Sequence, residues 1–191
     1  MENNMTSEKY AISIRTLHWA MAAAFLIMWG TGIGMGFVED ESPPHDLMTG
    51  LHISTGALLA FLLIIRIVCR FATKTPTETF NFPLWERIGA KLGHIALYVL
   101  PLIVIGIGWA GADLGGHGVT MFGIPMPKLL PTIDNWERTS FNETFENLHE
   151  ILAFVMLGVT VVHIAAVLKH KYMDHQDVLP RMTFSRTNKA D

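Results

Sequence analysis

Four long apolar runs separated by polar connections dominate the pattern of this chain. They extend roughly from Ile14 to Phe37, Thr49 to Phe71, Leu92 to Ala112 and Phe145 to Leu168. A hydrocarbon core of about 30 Å needs ~20 apolar residues in a helix, and each run reaches that length. Backbone N–H and C=O groups find no partners in lipid, so such runs fold as helices. Arg66 is the deeper of two charges within the second run, with Arg70 at its very end, and Pro101 lies inside the third, where a membrane helix tolerates a kink. The pattern predicts an all-α integral membrane four-helix bundle, up-down-up-down, forming one domain over residues 1–191. Ala22-Ala23-Ala24 loosely resembles a signal cleavage site, but the first run is too long for a signal core and the tail before it carries Glu2 and Glu8. The first run is therefore expected to stay in the protein.

Charge adds an orientation. Twelve of the 14 Lys and Arg residues fall before the first run, around the second connection, or after the fourth run. These are Lys9, Arg15, Arg66, Arg70, Lys74, Arg87, Lys91, Lys169, Lys171, Arg181, Arg186 and Lys189. The other side has only Lys128 and Arg138, against Glu39, Asp40, Glu41, Asp46, Asp113, Asp134, Glu137, Glu143, Glu146 and Glu150. The positive-inside rule then places both termini in the cytoplasm. The expected location is the bacterial inner membrane, with multiple passes through lipid. Half of the chain is hydrophobic and 16% is charged, against about 25% in soluble domains. The net charge of −3 gives no reason to expect nucleic acid. Cys69 is the single cysteine, which excludes an internal disulfide, and no C-x-x-C-H sequence exists for covalent haem attachment.

Five of nine histidines, His18, His52, His94, His149 and His163, lie in or at the apolar runs. Polar groups at membrane depth are costly and mark function more often than packing, although one histidine alone can simply join two helices by a hydrogen bond. His163 follows His149 by 14 residues, which at 1.5 Å per residue separates them by ~21 Å on nearly one helix face. His52 matches the depth of His149, and His18 that of His163. Facing imidazoles at two levels suit the axial positions of two non-covalent b-type haems, with His52 and His149 on the outer iron and His18 and His163 on the inner iron. Structural zinc would want four ligands, usually including cysteine. With both axial positions filled, the remaining chemistry is one-electron transfer. His94, at the inner start of the third run, suits a propionate contact, a proton relay or a quinone site, and can also stand in for either inner ligand. Arg66, Arg70 and Arg15 are candidate propionate partners through bidentate geometry, though positive residues at an inner interface also snorkel. His170, seven residues after His163, is a candidate quinone-site residue or a solvated interfacial histidine. Gly56, Gly158 and the series Gly30, Gly32, Gly34 and Gly36 could let a flat group approach the helices. His45, His117 and His175 fall in loops and receive no role.

The segments SIRTLHWAMA (13–22), GLHISTGALLAFLLIIRIVCR (50–70), KLGHIALYVLPLIVIGIGW (91–109) and ENLHEILAFVMLGVTVVHIAA (146–166) resemble the bacterial cytochrome b561 family. The resemblance covers all four runs and the order of the membrane histidines. It implies a four-helix inner-membrane cytochrome with two b haems that exchanges electrons with quinone, ubiquinone being the expected acceptor. It also implies outer-haem ligands His52 and His149, inner-haem ligands His18 and His163, and superoxide as a candidate donor at the outer face. The acidic outer connections depart from what an anion-collecting face needs, and also suit a small redox partner protein that is basic. Two other readings follow from the same residues: a haem-bearing anchor subunit of a larger redox enzyme, and a haem-free proton or ion transporter using a His/Arg relay.

Overall fold

The computed structural model describes residues 8–77, 80 and 82–184. Glu2, Arg186 and Lys189, which enter the charge pattern above, lie outside the described residues. Four helices carry the fold: α1 (Ile12–Met35), α2 (Pro43–Ala72), α3 (Leu84–Leu114) and α4 (Ser140–Tyr172). All four are long and apolar enough to cross a membrane. Each starts before the apolar run that announced it, by six residues for α2, eight for α3 and five for α4. The reason is local. Pro43 and Pro44 occupy the first turn of α2, where a missing N–H costs nothing, and the Ser42 hydroxyl accepts from the His45 N–H at 3.4 Å. Pro83 stands just before α3, and the Thr139 hydroxyl caps α4 by accepting from the Asn142 N–H at 3.2 Å. These polar first turns propagate the helices beyond the membrane-compatible stretch.

The exterior is inverted relative to a water-soluble bundle. Leu26, Ile64, Val68, Leu92, Ile151 and Val162 are exposed, and Met156 is the one buried residue of α4. Such helices have lipid as their natural neighbour. The interior packs around Met21, Ala24, Leu59 and Leu63, with Phe25, Met28, Tyr98 and Ile105 against them. Helix α1 packs along α2, and α3 along α4, whereas the two hairpins touch each other only sparsely through α2 and α3. The bundle is thus two antiparallel pairs with a seam between them.

One end of the bundle carries the first and last described residues. There the Tyr10 N–H donates to the Arg181 carbonyl at 3.2 Å, and the Arg15 guanidinium to the Thr183 carbonyl at 2.8 Å. The Trp19 indole N–H donates to the Met182 carbonyl at 2.9 Å. Buried Arg181 reaches the Thr77 carbonyl at 2.8 Å and lies over the Phe80 ring. The segment after α4 therefore straps α1 to the α2–α3 connection.

The opposite end is closed by the α3–α4 connection, which is rich in Gly and Pro. It forms a short antiparallel hairpin, β1 (Thr120–Met121) with β2 (Ile124–Pro125). Phe122 and Gly123 at the turn both have positive φ, as a two-residue hairpin of this twist requires. The Phe122 N–H donates to the Ser54 hydroxyl of α2 at 3.1 Å. Asp113, counted above among the outer acidic residues, is fully buried: its Oδ2 accepts from the Leu129 and Leu130 N–H groups at 2.7 and 3.2 Å. It organises the loop and adds nothing to the surface. Replacing Asp113 by Ala leaves two backbone donors without their acceptor, at a cost of about 1–3 kcal/mol. We expect limited proteolysis of D113A to open the chain within residues 115–135 while the helices stay intact; cleavage no faster than in the parent protein would contradict this role.

Candidate functional site

The seam between the hairpins is where the membrane histidines meet. On α4, His149, Met156, His163 and His170 follow one another at seven-residue intervals, close to two helical turns each. Buried Met156 thus sits midway between two imidazole levels. At the hairpin end His52 of α2 faces His149, with ring centroids 6.0 Å apart and planes at 68°. At the terminus end His18 of α1 faces His163, with centroids 6.4 Å apart and planes at 73°.

These spacings test for a metal between the rings. An imidazole nitrogen binds such metals at about 2.0–2.1 Å, and adding the radius of each ring puts two axial imidazoles about 6.2–6.5 Å apart between centroids. Both pairs fall close to that separation without a direct ring-to-ring hydrogen bond. His94 of α3 approaches His163 more closely, at 5.5 Å, which is short for two rings sharing one metal. His18 is the better matched partner of His163, and His94 is a third, exposed imidazole beside them.

The hairpin-end pair is anchored from behind. His52 Nδ1 lies 3.2 Å from the Met28 carbonyl and 3.2 Å from the Thr31 hydroxyl. His149 Nδ1 lies 3.0 Å from the Val104 carbonyl. A carbonyl only accepts, so both Nδ1 atoms carry the proton and both Nε2 lone pairs are free for a metal. This backing by a carbonyl is the usual arrangement behind metal-ligating histidine. A cavity of about 110 Å³ opens here, lined by His52, His149, Met28, Gly56, Gly108 and Trp109. Two glycines make room for the rings. A Cβ on Gly32 would come within 3.2 Å of His52 Cε1, and one on Gly108 within 3.0 Å of His149 Cε1. Gly32 belongs to the series noted in the sequence. Gly108 was missed, though it stands in the visible pair Gly106–Gly108 of the third run. Gly30 and Gly158 have open space before them, and Gly36 meets only its own helix.

The terminus-end pair is surrounded by charge. Arg66 follows His52 by 14 residues, the interval that separates His163 from His149. Its guanidinium donates from Nη1 to the Ile14 carbonyl at 3.0 Å and from Nε to the Tyr98 hydroxyl at 3.2 Å. Its two partners stand one helical turn from His18 on α1 and from His94 on α3. Arg70 donates to the Thr75 hydroxyl at 2.5 Å. Arg15, expected beside His18, instead spends its guanidinium on the C-terminal strap and on the Phe184 ring. His170 joins a polar cluster: Nδ1 is 2.7 Å from Asp174 Oδ2, its ring lies against Phe82, and Lys169 bonds Glu86 and Asp174 at 2.5 and 2.8 Å. Hydrogen bonds from Lys169 and then His170 hold the Asp174 carboxyl below the usual carboxylate range. The Lys169 ammonium already neutralises those carboxylates.

Apolar helices facing lipid, with imidazoles turned into the seam between them, define a polytopic membrane protein equipped for metal-centred chemistry. Comparison with known proteins gives the lineage. The family model described as prokaryotic cytochrome b561 matches residues 9–185. Cytochrome b561 homolog 2 of Escherichia coli (strain K12) is 30% identical over 179 residues, covering 93% of this chain and 92% of the relative. Cytochrome b561 homolog 1 of the same organism is 24% identical over 167 residues, covering 87% and 92%. Probable superoxide oxidase CybB of Yersinia pestis is 27% identical over 178 residues, covering 92% and 96%. The chain belongs to the prokaryotic cytochrome b561 family. It is a membrane electron-transfer protein of that family, and the family implies haem b.

The glycine contact gives a test. In Gly108→Ala the His149 ring must move to clear the new methyl, so haem recovered per chain should fall. Gly50→Ala, which meets nothing within 4 Å, should bind as the parent does. Equal haem content in the two variants would show that the close approach of Gly108 is not needed.

Proposed function

We propose that this chain carries electrons across the bacterial inner membrane, from a donor at the hairpin end to membrane quinone at the terminus end, through two non-covalent b haems. The observation that carries this reading is the pairing of four imidazoles at two depths, each pair at the spacing of two axial ligands. His52 and His149 would hold one haem, and His18 and His163 the other. Bound haem supplies reversible one-electron exchange at each level. The protein fixes Nε2 toward the seam through the Met28 and Val104 carbonyls, and fills the layer between the levels with apolar side chains such as Met21, Leu59 and Met156. Those side chains exclude water, so protons do not follow the electron through the bundle. The positive-inside bias supports a cytoplasmic position for the terminus end. Arg66, Arg70 and His94 surround the inner pair there, as propionate or quinone contacts, and His170 lies near the same interface.

The acceptor balance is simple. Each superoxide oxidised yields dioxygen and one electron, and two electrons with two cytoplasmic protons convert a quinone to a quinol. The name of the Yersinia relative makes superoxide the first donor to test. The surface favours a different charge. Glu39, Asp40, Glu41, Asp46, Asp134, Glu137, Glu143, Glu146 and Glu150 are exposed at the hairpin end, against exposed Lys128 and Arg138. Lys128 is engaged by the Thr132 hydroxyl. This acidic rim supports a second donor reading, a basic redox protein, by charge complementarity. Salt dependence separates the two. Screening speeds encounter with an anion that the rim repels and slows encounter with a cation that it attracts.

We expect haem-loaded protein in liposomes to reduce ubiquinone when given the correct outer donor. His52→Ala or His149→Ala should each lose about half of the bound haem and retain the inner centre. Full haem content in both variants would refute the ligand assignment, and a purified protein with no reducible haem band would refute electron transfer altogether.

A further inference from the structure

We propose that Arg66, together with the carbonyl-backed imidazoles of the opposite pair, sets the two haem positions at different potentials, so that an electron rests at the terminus end. The inference rests on the two-haem reading above and adds to it the residue that holds the electron at the terminus end.

The two pairs have the same ligand chemistry but opposite surroundings. At the hairpin end, the Nδ1–H groups of His52 and His149 point at the Met28 and Val104 carbonyls, with Thr31 also against His52. Partial withdrawal of that proton makes Nε2 a stronger electron donor, which stabilises the oxidised metal. Glu146 and Glu150 on the flanks of His149, both exposed, add negative charge of the same sense, weakened by solvent. At the terminus end, His18 and His163 make ring contacts and have no carbonyl behind Nδ1 among the described residues. Arg66 supplies a positive charge that cannot be lost by deprotonation. It is held in place by the Ile14 carbonyl and the Tyr98 hydroxyl. A fixed cation beside a buried redox centre favours the reduced state, which carries one more negative charge. Each feature acts in the same direction. With haem bound at both levels, these residues would favour an electron resting at the terminus end, and no proton need cross.

Potentiometric titration of the haem-loaded full chain, followed optically and by electron paramagnetic resonance, tests this. Haem per chain is measured first. His52→Ala, which keeps only the terminus-end centre, identifies which signal belongs to which pair. We expect two one-electron steps separated by at least tenfold in equilibrium constant, ~59 mV, with the terminus-end centre reduced first. Arg66→Gln should lower that centre by a comparable factor and leave the hairpin-end centre unmoved, and Arg66→Lys should restore most of the difference. Two haems with the hairpin-end centre reduced first, or with no shift in Arg66→Gln, would overturn the inference while leaving the two-haem reading intact. One haem per parent chain would instead sink that reading and the inference with it. If Arg66→Gln binds no haem, the order of reduction in the parent protein and the potential of Arg66→Lys decide the matter.

Discussion

Two helical hairpins in lipid gain little from burying apolar surface against each other, because the tails are as apolar as leucine. In this chain they also touch sparsely. What faces across the seam is imidazole, on α1 and α2 from one hairpin and on α4 from the other. The cohesion of the bundle therefore depends on whatever joins those rings. A group held by one ligand from each hairpin would bind only the assembled state, and would stabilise it by mass action. The strap after α4 and the Ser54-bound hairpin tie the two ends by polar contacts, but neither lies in the middle of the seam. Cofactor binding and membrane folding are on this account one equilibrium.

That dependence explains where the small residues fall. A histidine ring that must project into a shared gap needs room on the helix beside it, and Gly32 and Gly108 provide it for the hairpin-end pair. The terminus-end pair solves the problem differently. His18 stacks edge-on to Trp19, whose indole N–H is fixed by the Met182 carbonyl of the strap. The C-terminal segment thus reaches the surroundings of His18 through Trp19, 163 residues away from Met182 in sequence.

The parts of this architecture that the sequence declares are those set by covalent geometry. An apolar run of ~20 residues has one folded option in lipid, so the number and order of the helices could be read directly. The 14-residue interval from His149 to His163 fixes both depth and face on any straight helix. Helix starts were misjudged, because Pro43, Pro83 and Thr139 begin helices in polar segments that hydropathy ignores. Asp113 could not be told from its exposed acidic neighbours, since its burial depends on a loop folding back onto it. The partners of Arg15 were equally hidden, because the strap that claims it is distant in sequence. Tertiary contacts with no local signature account for Asp113 and Arg15, whereas the helix starts carry a local signal that hydropathy passes over.

The two ends of the seam also show how one helix can serve two centres without making them alike. Helix α4 contributes a histidine at each level on the same face, so identity of ligand cannot distinguish the levels. The difference comes from the opposing helices. At the level of His149, α3 offers a backbone carbonyl, Val104, and α2 offers the facing imidazole. At the level of His163, α2 offers Arg66 in the place where a second histidine would otherwise project, and the facing imidazole comes from α1. Because the imidazole facing His163 comes from α1, α2 is free to present a fixed positive charge at that depth. An up-down-up-down bundle with internal symmetry would have made the two levels equivalent. This chain breaks that equivalence along α2, which carries His52 at one level and Arg66 at the other.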